Sequence, residues 1–126
     1  MPLVIKPHDL SKENEKRRAY FDKHTPVITC KKKAKRKQKF KVNVRVGVNL
    51  AHPNTKEHYY TYIQLWNLET MLAQANFPMG TFGSEPMQAE VDFYIVPKLS
   101  QRLVAMAYCT KHGLWQSEEV FVQIED

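Results

Sequence analysis

Lys39-Phe40-Lys41-Val42-Asn43-Val44-Arg45-Val46-Gly47-Val48 carries an apolar residue at every second position from Phe40 to Val48, with Lys39, Lys41, Asn43 and Arg45 on the other face. Successive side chains of a strand point to opposite sides, so this stretch reads as a strand with one buried and one wet face. Working outward, further strands are expected at 27–30, 58–66, 89–96, 102–109 and 119–124. A short strand around Thr81 and Phe82 brings the count to seven. Between them, 68–74 suits a helical turn, while Phe77-Pro78-Met79-Gly80 and Gly83 suit loops. Residues 11–21 mix Lys, Glu, Arg and Ala behind Ser11, a plausible N-cap, and predict a short helix. There are no internal repeats. Short strands separated by turn signals predict an all-β, antiparallel seven-stranded β-sandwich over 21–126. Before it lies an N-terminal extension, 1–20, helical or irregular.

A chain of 126 residues with 43% hydrophobic content suits one domain that needs no disulfide staples. No apolar run approaches the ~20 residues that span a bilayer. The opening Met1-Pro2-Leu3-Val4-Ile5-Lys6-Pro7 lacks the long apolar stretch of a secretory signal. Two cysteines give no disulfide framework, so a cytoplasmic protein without a membrane partner is expected. The net charge of +6 favours anionic partners without saying which.

Most of the chemistry-bearing residues fall in three places: His24, the segment His52-Pro53-Asn54-Thr55-Lys56-Glu57-His58, and Cys109-Thr110-Lys111-His112. Imidazole and thiolate together suit iron, zinc or copper rather than calcium or magnesium. Four histidines plus a thiolate exceed the needs of a four-coordinate structural zinc site, and the surplus suggests a reactive iron centre. Six residues of extended strand span roughly 20 Å, so His52 and His58 meet on one ion only if their segment folds back. Pro53, Asn54 and Thr55 favour such a turn. Gly113 relieves the backbone just after Cys109 and His112. His8 reads as a surface residue. Cys30, in a strand leading into a basic run, is expected not to be a ligand.

Taken singly, His-x5-His and Cys-x2-His are weak motifs, and buried cysteines are often inert core residues. A blue-copper site would use two His, one Cys and an axial Met, but no methionine follows His112 and four histidines are too many. A zinc-stabilised β-sandwich binding domain without redox activity is the second alternative; zinc is colourless, whereas a ferric thiolate centre is blue. The run Lys31-Lys32-Lys33-Ala34-Lys35-Arg36-Lys37 raises nucleic-acid binding. It lacks interleaved aromatics and reads as a solvated loop between two strands, so nucleic acid is not an expected partner.

Four stretches resemble the superoxide reductase family, which includes the neelaredoxins and the iron-binding domain of desulfoferrodoxins. They are Asp22-Lys23-His24-Thr25-Pro26-Val27-Ile28, the loop from His52 to His58, Tyr108-Cys109-Thr110-Lys111-His112-Gly113-Leu114-Trp115, and the valine-rich strand between the first two. The resemblance implies an immunoglobulin-like β-sandwich that reduces superoxide to hydrogen peroxide at a mononuclear non-haem iron. It implies equatorial ligands His24, His52, His58 and His112 and an axial Cys109 thiolate. Lys23 would attract superoxide and help order a proton-donating water. The Asp22 carboxylate takes the place of a glutamate that can bind the ferric ion. A rubredoxin-like electron donor and a homo-oligomer, dimer or tetramer, are implied as well.

The sequence departs from the family pattern at three points. Asp22-Lys23-His24 stands where the family usually has Glu-Lys-His, and Tyr59 stands where a further histidine often follows the loop. Residues 67–88 do not follow the family's pattern. No four-cysteine rubredoxin-like module is present, so the chain resembles the one-iron, single-domain class.

Overall fold

In the computed structural model, which describes residues 3–126, the alternating stretch is a strand, β4 (Phe40–Val46), with Phe40, Val42, Val44 and Val46 all buried. Met1 and Pro2, the start of the expected extension, lie outside the described residues. The strand stops one pair short of the sequence pattern, because Gly47 takes a left-handed φ of +89° and Val48 turns out to solvent. A Cβ at Gly47 would lie 2.8 Å from the Asp22 carbonyl oxygen and 3.1 Å from that of Leu50. Gly47→Ala is therefore expected to cost about 1–3 kcal/mol through strain and overpacking. An unchanged thermal midpoint in that variant would contradict this reading of the turn.

Preceding β4 are β1 (Val4–Ile5), α1 (Glu15–His24), β2 (Pro26–Thr29) and β3 (Lys33–Lys35). Following it are β5 (Tyr60–Asn67), β6 (Thr70–Asn76), β7 (Glu90–Ile95), β8 (Gln101–Cys109), β9 (Gly113–Gln116) and β10 (Val120–Glu125). Strands β2, β4 and β7 form a three-stranded antiparallel sheet, and the other seven form the second sheet around β8. Val42 and Val44 of the first sheet share one core with Ile63, Leu65, Leu103, Ala105 and Val122 of the second. This is the sandwich the sequence predicts, with ten strands among the described residues rather than seven.

The differences have local causes. Residues 70–76 form β6 rather than a helical turn: Asn67 pairs with Thr70, and Leu68 supplies the left-handed turn residue at φ +53°. Glycine or asparagine is usual there, so the hairpin has no turn signature. Thr81 and Phe82 lie in turns, with Thr81 N–H donating to the Pro78 carbonyl at 3.0 Å. The basic run is not wholly loop. Its middle, β3, pairs in parallel with β10 and anchors on buried Ala34, an alternation too short to read. The two-residue β1 and four-residue β9 were equally invisible, and they pair in parallel with each other.

Helix α1 starts later and ends later than expected. Asn14, not Ser11, is its N-cap, accepting from the Arg17 N–H at 2.8 Å. Ser11 instead donates its N–H to the Asp9 carboxylate. The helix thus runs past residue 20 into the expected sandwich domain and delivers His24 in its last turn.

Candidate metal centre

Five side chains from four elements converge at one end of the sandwich. His24 comes from the end of α1, His52 and His58 from the loop before β5, Cys109 from the last position of β8, and His112 from the β8–β9 turn. The 52–58 loop does fold back, through paired N–H···O contacts between Thr55 and His58 of 3.0 and 3.2 Å. His52 is fixed from the other side by a two-bond bridge to Met87, and Asn54 Nδ2 donates to the Glu85 carbonyl at 3.1 Å. Thr110 ties loop to turn: its hydroxyl accepts from Tyr59 N–H and donates to the Glu57 carbonyl.

Donor atoms of His24, His52, His58 and Cys109 all lie within 4.8 Å of one another. The Cys109 Sγ is 3.4 Å from His52 Nε2 and 3.9 Å from His112 Nδ1, which in turn is 3.2 Å from His58 Nε2. Metal bonds of about 2.1–2.3 Å place adjacent donors about 3 Å apart and opposite donors somewhat over 4 Å apart. The spacings fit a single ion. His24 Nδ1 lies 2.7 Å from the Tyr20 carbonyl and His52 Nδ1 lies 2.6 Å from that of Pro53. Each Nδ1 therefore carries the proton and donates, leaving Nε2 as the lone-pair atom. His24 Nε2 is buried without any hydrogen-bond partner among the described residues. A buried polar nitrogen is rarely left so, and a metal would satisfy it.

Electrostatics prepare the donors. Burial, aided by like-charge repulsion from neighbouring histidines, holds His24 down to about 4 and His52 down to about 3. Burial also lowers His58, with His112, Lys111 and Lys23 adding to it, and lowers His112, with Lys111 adding to it. At neutral pH the imidazoles are thus neutral, the form that ligates. Burial pushes the Cys109 thiol up, while the backbone N–H groups of Lys111 and His112 pull it back down.

A pH dependence follows for chelator-treated protein. His24 and His52 bind protons less readily folded than at their ordinary value of 6.5, so the unfolded chain holds more protons below that value. Their stabilising effect is full above about pH 6.5 and is lost as pH falls toward 4. The urea midpoint should drop between pH 7.5 and pH 5; a constant or rising midpoint would contradict the assignment.

His24, His52 and Cys109 are buried, whereas His58 and His112 are half-buried, so the cluster meets solvent on the His58 and His112 side. Lys23 is half-buried and close enough to act on both His24 and His58; Lys111 is exposed and acts on His58, His112 and Cys109. The Asp22 carboxylate points elsewhere, accepting from Asn49 N–H at 3.1 Å and Leu50 N–H at 2.8 Å. His8 lies at the surface beside Glu13, and half-buried Cys30 follows β2 at the end remote from the cluster.

Residues 12–118 match the family model described as desulfoferrodoxin. The chain belongs to the desulfoferrodoxin family. The superoxide reductase of Thermococcus kodakarensis is 33% identical over 104 residues, covering 77% of this chain and 85% of that protein. Neelaredoxin of Megalodesulfovibrio gigas is 29% identical over 112 residues, covering 78% and 85%. The superoxide reductase (neelaredoxin) structure from Ignicoccus hospitalis superimposes with a TM-score of 0.74 at 29% identity, covering 97% of this chain and 95% of that one.

The chain surrounds its cluster with residues that carry no metal-site motif of their own. Trp115 stacks on the His24 ring at 4.7 Å and 17°, and its indole N–H donates to the His112 carbonyl. The buried Tyr60 donates its hydroxyl to the His24 carbonyl and packs 4.4 Å from the His52 ring. Tyr20 packs 4.8 Å from His24 and 5.2 Å from His112. Tyr20 precedes His24 by four positions on a helix, a same-face spacing that was available as a signal. For Trp115 and Thr110 only the family motif marked the position.

Proposed function

We propose that His24, His52, His58, His112 and Cys109 hold one iron ion and that the protein is a superoxide reductase. The observation that carries this reading is the convergence of four neutral imidazoles and one thiol, with an orphaned His24 Nε2 among them, in a chain of this family. Superoxide takes up one electron and two protons to become hydrogen peroxide. The iron, when bound, supplies the electron. The chain's own residues do the rest.

Tyr20 and Pro53 carbonyls orient two imidazoles, while Trp115, Tyr60 and Tyr20 wall the buried side against water. Backbone amides of Lys111 and His112 offset part of the burial that pushes the Cys109 thiol up. An arriving anion meets the half-buried edge beside Lys23 and Lys111, whose charges draw it in. We assign Lys23 the further task of ordering a proton-donating water. Asp22 could reach the metal only by giving up its bonds to Asn49 and Leu50, so we assign it first to holding that loop.

An external donor of the rubredoxin kind is the proposed source of the electron, since nothing else among the described residues is a redox centre. Two unpaired cysteines favour a reducing cytoplasm, and the family supports assembly as a dimer or tetramer. The iron-binding unit is taken as 21–126, with 1–20 as its extension.

The test is the rate of reaction with superoxide as a function of salt. Lys23→Ala should slow the second-order step several-fold at low ionic strength and flatten its salt dependence. Lys111→Ala should do the same more weakly. At physiological salt the basic run is not a substitute, because it sits at the opposite end of β4, roughly 20 Å away, against a screening length of about 8 Å; at about 0.01 M, where that length is about 30 Å, it adds the same background to wild type and variants. Identical salt profiles for wild type and both variants would overturn the assignment.

A further inference from the structure

Positive charge is concentrated away from the metal. Residues 31–41 hold eight of the nineteen basic residues and no acidic one; the rest of the chain, with eleven basic and thirteen acidic, is net negative. All eight side chains are exposed. Lys33 pairs with Glu125 and Arg36 with Asp126, while Lys31, Lys32, Lys35, Lys37, Lys39 and Lys41 have no ion-pair partner among the described residues.

Register fixes where this end lies. Pro26, two residues from His24, pairs with Val46, so Phe40 is at the far end of β4. Gln101, eight positions from Cys109 on β8, pairs with Val122, and the next residue of β10, Gln123, pairs with Lys33. The basic end is thus roughly 20–25 Å from the cluster by strand length. That is too far to steer superoxide through screening salt, and too far to dock a donor for direct electron transfer. Its charge calls for another explanation.

Contrary to the expectation from the sequence alone, which took this run for a solvated loop, part of it is the paired strand β3, and we propose that this end binds the phosphate backbone of nucleic acid without sequence preference. Lys33 and Lys35 flank buried Ala34 and point outward from the seven-stranded sheet, whereas Lys39 and Lys41 flank buried Phe40 and point outward from the other sheet. Arg36 and Lys37 turn between them, Lys37 at φ +62° with its N–H on the Pro97 carbonyl. The lysines therefore wrap an edge and occupy two faces. A flat bilayer meets one face; a charged polymer can follow both. Lysine is depleted in protein–protein interfaces, which argues against an acidic protein partner. Same-face lysines of a strand repeat every ~6.6 Å, close to the ~6.8 Å of axis between alternate phosphates of one DNA strand. Exposed Tyr94, with Lys39 Nζ 4.5 Å from its ring, adds a surface on which a base or sugar can pack. Toward the metal the patch ends at Glu90 and Asp92, both engaged by Asn43 Nδ2.

The experiment is fluorescence anisotropy of a labelled 20-base-pair duplex with intact, iron-loaded protein. Four to six phosphate contacts predict that affinity falls about 10²–10³-fold between 50 and 200 mM salt. Lys32→Glu with Lys35→Glu and Lys37→Glu should lose at least tenfold in affinity at 50 mM salt, with the superoxide reaction unchanged. The corresponding Lys→Gln triple should lose roughly half as much on a logarithmic scale. A charge-matched control, Lys6→Glu with Lys12→Glu and Lys16→Glu, should keep its affinity. No binding at 50 mM salt, or equal losses in patch and control variants, would overturn the proposal. So would tighter binding to phosphatidylglycerol vesicles than to DNA.

Discussion

Cys109→Ser is expected to abolish the sulfur-to-iron absorption of the oxidised protein and nearly all of its reaction with superoxide. Cys109 is fully buried at the end of β8, 3.4 Å from His52 Nε2, and is the only thiol in the cluster. Serine fills almost the same space, but its hydroxyl stays protonated at neutral pH and is a poor partner for iron beside four imidazoles. Losing an outer partner of a ligand costs about 10–100-fold in affinity or activity, so losing the ligand itself should exceed that range. The fold should survive, since the backbone pairing of Cys109 with Tyr60 and Gly113 is untouched. Visible spectra and thermal midpoints of the two proteins check both halves. An undiminished band would remove the thiolate assignment.

His52→Ala should do damage of another kind. His52 is fully buried, sits 4.4 Å from the Tyr60 ring, and has its Nδ1 on the Pro53 carbonyl. The substitution deletes a donor and leaves both a cavity and an unpaired acceptor. Iron content should fall well below one per chain, and stability should drop by about 2–4 kcal/mol, in the range of large-to-small changes in a packed core. Elemental analysis and urea unfolding measure the two effects. Full iron content in His52→Ala would show that His52 is not a ligand. Loss of iron without loss of stability would place it at the edge of the core rather than inside it.

Legibility in the sequence followed the strength of local patterns. Strand β4 was plain because four buried positions alternate with wet ones, and the convergence of the loop from His52 to His58 followed from the reach of an extended chain. What stayed hidden depends on partners distant in sequence. Strand β3 needs β10, ninety residues away, to satisfy its backbone, and β1 needs β9. The β5–β6 hairpin turns on Leu68, a residue that advertises no turn. At the site, residue types announced the donors, but nothing local announced the Tyr60, Thr110 and Trp115 bonds that hold the surrounding loops in place. Asp22 shows the opposite limit. Its place beside Lys23 and His24 suggests a role at the metal, yet backbone amides 27 and 28 residues further on hold its carboxylate.

The product balance of ferrous protein mixed with superoxide, in the absence of added donor, distinguishes reduction from disproportionation. A superoxide reductase is expected to form one hydrogen peroxide for each superoxide consumed, with one ferrous ion oxidised in step and no dioxygen. Dioxygen released alongside half that yield of peroxide, with the iron returned to its starting state, would mean that the site disproportionates superoxide rather than reducing it. That result would mean that the protein is not a superoxide reductase.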